Sequence, residues 1–202
     1  MKNIAVFSSG NGTNISAIAD SVKKGALKVN LGLLVCDNPE ARVITRANKF
    51  GVKVALVKRE EYVSKEAFER MIIEHLRENK IDLVVLAGFM RVLSANLVNK
   101  YKGRIINIHP SLLPCFKGAQ AIKDAFDYGV KVTGVTVHFV DELMDHGPII
   151  LQKEVAVRES DTLESLEAKM HKIEHRLYPE AIDLFARGKL KIKGRRVFIA
   201  SR

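Results

Sequence analysis

Asn107 and His109 stand two apart at the end of an apolar run, Ile105–His109, and Pro110 follows at once. Residues two apart on a strand share a face, so a carboxamide and an imidazole would point the same way. The imidazole can carry a proton, and the carboxamide can donate to a developing oxyanion. Pro114 stiffens the loop beyond. A second polar segment, Asp141-Glu142-Leu143-Met144-Asp145-His146-Gly147-Pro148, reads as a turn that could bring a carboxylate to His109. A neighbouring negative charge favours the imidazolium form of a histidine. A metal cluster on that turn is the weaker reading, and a solvated turn the plainer one. The third segment is Ser8-Ser9-Gly10-Asn11-Gly12-Thr13-Asn14, between a strand and a helix. Its glycines let backbone N–H groups approach an anion such as phosphate at the helix N-terminus. It is neither a dinucleotide fingerprint, since Ile15 stands where the third glycine belongs, nor a P-loop. His171-Lys172-Ile173-Glu174-His175 fits a zinc-peptidase pattern, but no third ligand is evident, and no metal is expected. Cys115 reads as a small filler.

These segments need a frame that alternates strand and helix. Ile4–Phe7, Val29–Val35, Val52–Val57, Leu83–Ala87 and Ile105–His109 read as strands; the intervening Ile15–Lys24, Glu40–Lys49 and Lys65–Asn79 read as helices, the last capped by Ser64. Continuous apolar strands suit a parallel sheet covered on both faces. The expected fold is α/β, a doubly wound, mostly parallel sheet with an elaborated C-terminal third. Such sheets place ligands at the C-terminal ends of their strands, where Ser8–Asn14 and Asn107–His109 lie. Beyond residue 110, Ala119–Phe126 reads as helix and Val132–Val140 and Ile149–Val157 as longer strands. Asp161 is expected to start a helix, with Glu164 completing a capping box; it runs to about Leu177, and Pro179 begins another. One domain over 1–202 is expected, with a phosphate-binding half (1–110) and a C-terminal part (111–202).

Of the 202 residues, 47% are hydrophobic and 28% charged, an ordinary globular composition. No apolar stretch approaches the ~20 residues of a membrane span. With two cysteines, a disulfide framework is not expected and a reducing, cytoplasmic home is. The net charge of +10 is concentrated at the C-terminus. Without the seven Lys and Arg of Arg187–Arg202, 26 basic residues face 23 acidic ones. Lys189, Lys191 and Lys193 alternate with Leu190 and Ile192, Gly194 turns the chain, and Val197–Ala200 could pair back. The tail therefore reads as a solvated edge hairpin rather than a nucleic-acid surface.

Ser8–Asn14, Leu86-Ala87-Gly88-Phe89-Met90-Arg91-Val92-Leu93, Asn107–Pro114, Thr133–Glu142 and Asp145–Ile150, in this order, resemble the glycinamide ribonucleotide formyltransferases of purine synthesis. The resemblance covers essentially the whole chain. Asn107-Ile108-His109-Pro110-Ser111-Leu112-Leu113-Pro114 is its most specific segment, shared by folate-dependent formyltransferases and hydrolases. It implies 10-formyltetrahydrofolate as one-carbon donor and glycinamide ribonucleotide as acceptor, with Asn107, His109 and Asp145 catalytic. It implies the substrate phosphate at Gly12, Thr13 and Asn14, with Glu174 and His171 facing the same substrate. The folate would meet Lys65, Met90, Arg91, Val92, Leu93, Asn107 and Asp141. Two departures stand out. Gly118-Ala119-Gln120 occupies a place where the family often has Gly-x-His. Lys65 replaces an arginine of some members, keeping the charge but losing the bidentate fork.

Three rivals remain at this level. Methionyl-tRNA formyltransferases share the catalytic segment but continue into a tRNA-binding domain, about where this chain stops. Formyltetrahydrofolate hydrolases carry an N-terminal regulatory domain, for which a first strand at Asn3 leaves no room. A non-catalytic module using the basic tail on nucleic acid would show salt-sensitive affinity and no folate binding. A homodimer is compatible with the sequence.

Overall fold

The computed structural model describes residues 1–200; Arg202 of the basic tail lies outside them. The described residues form two compact units, Met1–Ile106 and a second that begins at Asn107.

The first unit contains β1 (Lys2–Phe7), α1 (Thr13–Lys23), β2 (Val29–Cys36), α2 (Arg42–Lys49), β3 (Lys53–Leu56), α3 (Lys65–Glu78), β4 (Leu83–Leu86) and α4 (Ala95–Lys100). Its strands are ordered β3-β2-β1-β4, all parallel. Both β2 and β4 flank β1, so the order reverses there, and open α/β sheets bind ligands at such a switch point. All four residues of β4 are buried, as are Ile4–Phe7 of β1. Each fully buried Ile, Val, Leu or Phe among them stabilises the fold by about 1.5–3 kcal/mol. α3 starts at Ser64, whose hydroxyl accepts from Ala67 N–H at 3.1 Å, and buries Phe68, Ile72, Ile73 and Leu76. α4 has no apolar periodicity long enough to read from sequence; its Ser94 cap is held by the buried Glu69 carboxylate, which accepts from Ser94 N–H at 2.7 Å and from its hydroxyl.

β5 (Ile105–His109) runs into the second unit, followed by α5 (Ala121–Tyr128), β6 (Val132–Phe139), β7 (Ile149–Ala156), α6 (Leu163–Ala186), β8 (Leu190–Lys193) and β9 (Arg196–Ile199). The strand order is β5-β6-β7-β9-β8, with β6–β7 and β8–β9 antiparallel and β7–β9 parallel. The C-terminal hairpin expected from the alternating lysines is thus present, and the fold class is α/β with a mostly parallel sheet.

The helix after residue 160 departs from expectation twice. Its N-cap is Thr162 rather than Asp161, and Ser165 rather than Glu164 closes the capping box, with reciprocal bonds of 3.1 and 3.2 Å. Asp161 sits just outside, where the Lys169 ammonium, then Arg158 N–H and the Ser165 hydroxyl, pull its pKa down to about 2. The helix also does not stop before Pro179 but continues through it to Ala186. A proline inside a helix costs about 3 kcal/mol. Here Met170, Glu174, Leu177, Tyr178, Ala181 and Ile182 form one buried stripe on both sides of it; tertiary burial outweighs the local signal. Thr162→Ala should cost about 1 kcal/mol, seen as a fall of about 2–4 °C in Tm. An unchanged Tm would show the cap to be dispensable.

Candidate active site

In the second unit, β5 delivers Asn107 and His109 to one face at its C-terminal end, and the β6–β7 connection delivers Asp145. The Asp145 side chain is 10% exposed and gathers four groups. Oδ2 accepts from Gly118 N–H at 2.9 Å and lies 3.5 Å from His109 Nδ1. Oδ1 accepts from Asn107 Nδ2 at 3.4 Å and lies 3.8 Å from His138 Nε2. His109 Nε2 is 2.8 Å from the carbonyl oxygen of Phe116, which can only accept, so Nε2 is a donor there. His138 Nδ1 likewise faces the Phe139 carbonyl at 2.8 Å. That leaves His138 Nε2 to accept from Asn107 Nδ2 at 3.3 Å and sets which end of the Asn107 amide points inward.

The sequence reading did not single out His138. Its signal was there: Thr136 and His138 are polar and two apart, alternating with the apolar, buried Val135, Val137 and Phe139. Burial, the largest influence, pushes the His138 pKa below its ordinary 6.5 despite the Phe139 carbonyl and the Asp145 charge. The ring is therefore neutral in the folded protein. The unfolded chain binds this proton first as pH falls, so the stability His138 contributes is full above 6.5 and is lost as pH drops through the depressed value. His138→Gln should flatten the acid-side fall of Tm below pH 6.5 in a calorimetric series. An unchanged slope would place the acid sensitivity elsewhere.

Thr136 holds the loop after β5. Its hydroxyl donates to Ser111 O at 2.7 Å and accepts from Leu113 N–H at 3.1 Å and Gln152 Nε2 at 2.9 Å. Gln152 also donates to Leu113 O, and the buried Ser111 hydroxyl to Cys115 O. These bonds fix a loop that presents the Phe116 carbonyl to His109 and the Gly118 amide to Asp145. Sequence could not show those of Thr136 and Gln152, because each joins residues far apart in the chain. Cys115 is exposed on this loop, and Gln120 caps α5 without a side-chain bond.

Asp141 lies on the same connection as Asp145 and accepts from Leu143 N–H at 3.1 Å and His146 Nδ1 at 2.7 Å. Leu143 and Met144 beside it are 61% and 60% exposed. On α6, the buried Glu174 carboxylate lies 3.1 Å from His171 Nδ1 and raises the pKa of that ring. His171 stacks on His175 with centroids 6.3 Å apart.

The remaining expected site residues belong to the first unit. Gly12 is the N-cap of α1 with φ +73°, and no side chain caps that helix. A Cβ on Gly12 would meet Val43 Cγ2 at 2.6 Å, so the left-handed turn and the close approach to α2 both require glycine. Thr13 and Asn14 follow as the first helical residues, and the Ser8 hydroxyl is buried without a hydrogen-bond partner. Ser9 ties the loop to its neighbours. Its N–H donates to Gly88 O at 2.9 Å, its hydroxyl to Asp37 at 2.6 Å, and the hydroxyl accepts from Met90 N–H at 3.2 Å. Arg91 pairs with the same Asp37 carboxylate and lies over the Phe68 ring at 5.7 Å. Met90 and Val92 are largely exposed, Leu93 is buried, and Lys65 opens α3.

Among the described residues no group of three His, Cys, Asp or Glu is arranged to hold a metal ion, and no helix is long and apolar enough to cross a membrane.

Comparison with known proteins gives a consistent answer. The Formyl transferase family model matches residues 2–182. Phosphoribosylglycinamide formyltransferase of Bacillus subtilis (strain 168) is 50% identical over 182 residues, covering 90% of this chain and 93% of the relative. The crystal structure of glycinamide ribonucleotide transformylase 1 from Symbiobacterium toebii superposes with a TM-score of 0.97 at 44% identity, over 100% of this chain and 95% of that one. Phosphoribosylglycinamide formyltransferase from Bacillus halodurans gives 0.88 at 49% identity, over 90% and 94%.

Proposed function

This chain belongs to the formyl transferase family, and from that premise we propose that it transfers the formyl group of 10-formyltetrahydrofolate to the amine of glycinamide ribonucleotide, a step of purine synthesis. The observation that carries the reading is the gathering of Asn107 and His109 around the Asp145 carboxylate, in a chain half identical to a protein named for this activity.

The folate supplies an activated formyl carbon, and the residues present suit it. Leu143 and Met144 offer exposed apolar surface on the Asp145 loop, as Met90 and Val92 do in the first unit. Asp141 is the polar group beside that surface, and Lys65 offers a cation for a carboxylate tail. Arg91 is already committed to Asp37, so it contributes backbone and position rather than a free charge. Gly12, Thr13 and Asn14 receive the substrate phosphate at the uncapped start of α1. Glu174 and His171 contact the same substrate. The two reduced cysteines suit a cytoplasmic enzyme.

The amine attacks the formyl carbon, and negative charge grows on the formyl oxygen. Asn107 Nδ2 donates to that oxygen; its present bonds, 3.3 and 3.4 Å, are long enough to be exchanged. His109, as imidazolium, donates from Nε2, which must first leave the Phe116 carbonyl. Asp145 fixes the ring through Nδ1 and stabilises its charge. The proton lost by the amine reaches the departing folate nitrogen as the carbon–nitrogen bond breaks.

The test is to follow tetrahydrofolate release with glycinamide ribonucleotide, methionyl-tRNA or water as acceptor, each with a His109→Ala control. Turnover only with glycinamide ribonucleotide, lost in the control, is expected. Turnover with water alone, with tRNA alone, or with none of them would overturn the reading.

A further inference from the structure

The basic C-terminal tail is not wholly given over to solvent. Ile149 of β7 pairs with Arg196 of β9, which sets the β8–β9 turn beside the loop between β6 and β7. From that turn Arg195 makes a double contact with one residue of the loop. Nη2 donates to the His146 carbonyl oxygen at 2.7 Å, and Nη1 lies 2.9 Å from His146 Nε2. The other ring nitrogen, Nδ1, donates to Asp141 Oδ2 at 2.7 Å and lies 3.3 Å from the same Nη1, so the guanidinium nitrogen spans both nitrogens of the ring. Asp141 in turn accepts from Leu143 N–H. The result is a chain of contacts from the hairpin to His146, to Asp141 and back into the loop, enclosing Asp145. Asp145 itself has φ +48°, a left-handed conformation that few residues with a Cβ adopt, aspartate being among the more tolerant.

We infer that Arg195 is a positioning residue: gripping His146 from the C-terminal hairpin, it holds the 141–147 loop and with it the Asp145 carboxylate that faces Asn107 and His109. The inference rests on the formyl-transfer reading of the same site. Arg195 touches none of the reacting groups in this arrangement; it acts through the residue next to Asp145. A lysine could keep one of the two grips but not both, because only the guanidinium presents two donors in a fixed fork.

The experiment compares Arg195→Ala, Arg195→Lys and, as a control of equal charge on the same hairpin, Arg196→Ala. For each, kcat and KM for both substrates, Tm, and amide hydrogen exchange of residues 141–147 are measured. Arg195→Ala should lower kcat about tenfold, a fraction of the cost of misplacing a reacting group by ~1 Å. It should speed exchange across the loop while leaving Tm unchanged. Arg195→Lys should fall between it and the wild type, and Arg196→Ala should match the wild type in every readout. Wild-type kcat in Arg195→Ala would overturn the inference. So would a loss of kcat with unchanged exchange, which would make Arg195 a substrate contact. If the wild-type protein transfers formyl to no acceptor, the functional reading falls, and exchange alone then decides whether Arg195 holds the loop.

Discussion

Asn107→Ala and His109→Ala should each lower the turnover of formyl transfer by about 10²–10³-fold, the usual cost of removing one donor aimed at a developing oxyanion. KM for either substrate should change far less, because both groups act on charge that exists only in the transition state. The double variant should be little worse than the poorer single one, since the two donors share one oxygen and one carboxylate partner. A folding artefact is separable. Asn107→Ala leaves the buried His138 Nε2 without its donor, and His109→Ala does the same to the Phe116 carbonyl. An orphaned buried acceptor costs about 1–3 kcal/mol, which is a few degrees of Tm in a chain of this length and not a collapse. Near-normal turnover in both variants, with the fold intact by circular dichroism, would remove these residues from the mechanism.

That prediction rests on two residues whose placement was legible in the sequence, and the reason is local. The β5 strand is apolar and short, a proline ends it, and period two puts Asn107 and His109 on one face. The same locality explains why β1, β2, β4 and the C-terminal hairpin lie within a few residues of their expected spans. What escaped reading is non-local. His138 comes from a strand 31 residues away from Asn107, and its neutrality depends on burial that no window of sequence contains. The Gly118 amide meets Asp145 only because Thr136 and Gln152 pin the loop between them. Arg195 looked like one more cation in a basic tail, since its partner lies 49 residues earlier. Pro179 misled for the opposite reason: its local signal is strong, but the apolar stripe running past it on α6 is stronger.

Gly147→Ala should be nearly as damaging to turnover as loss of a catalytic donor, although residue 147 has no side chain to take part. A Cβ built on Gly147 would lie 1.8 Å from the Phe139 carbonyl oxygen and 2.8 Å from its carbon. Both are backbone atoms, at the end of the buried strand β6, and cannot swing aside as a flexible side chain would. The Phe139 N–H and the Pro148 carbonyl are bonded at 2.8 Å across the same junction, so the two segments resist separation. Ordinary contact would need the loop to move by more than ~1 Å, and a displacement of that size at a reacting group costs on the order of 10²-fold in rate. The moving segment contains His146 and Asp145, so the carboxylate shifts away from His109 Nδ1, Asn107 Nδ2 and the Gly118 amide together. Stability should fall by about 1–3 kcal/mol, as for other overpacked sites. Gly32→Ala provides the contrast: its Cβ would meet only the Asn30 side chain, at 3.5 Å, an ordinary contact. Turnover and Tm should there stay near wild type. Gly147→Ala retaining full turnover would mean that the Asp145 carboxylate can be displaced without consequence, and its place at the centre of the site would have to be given up.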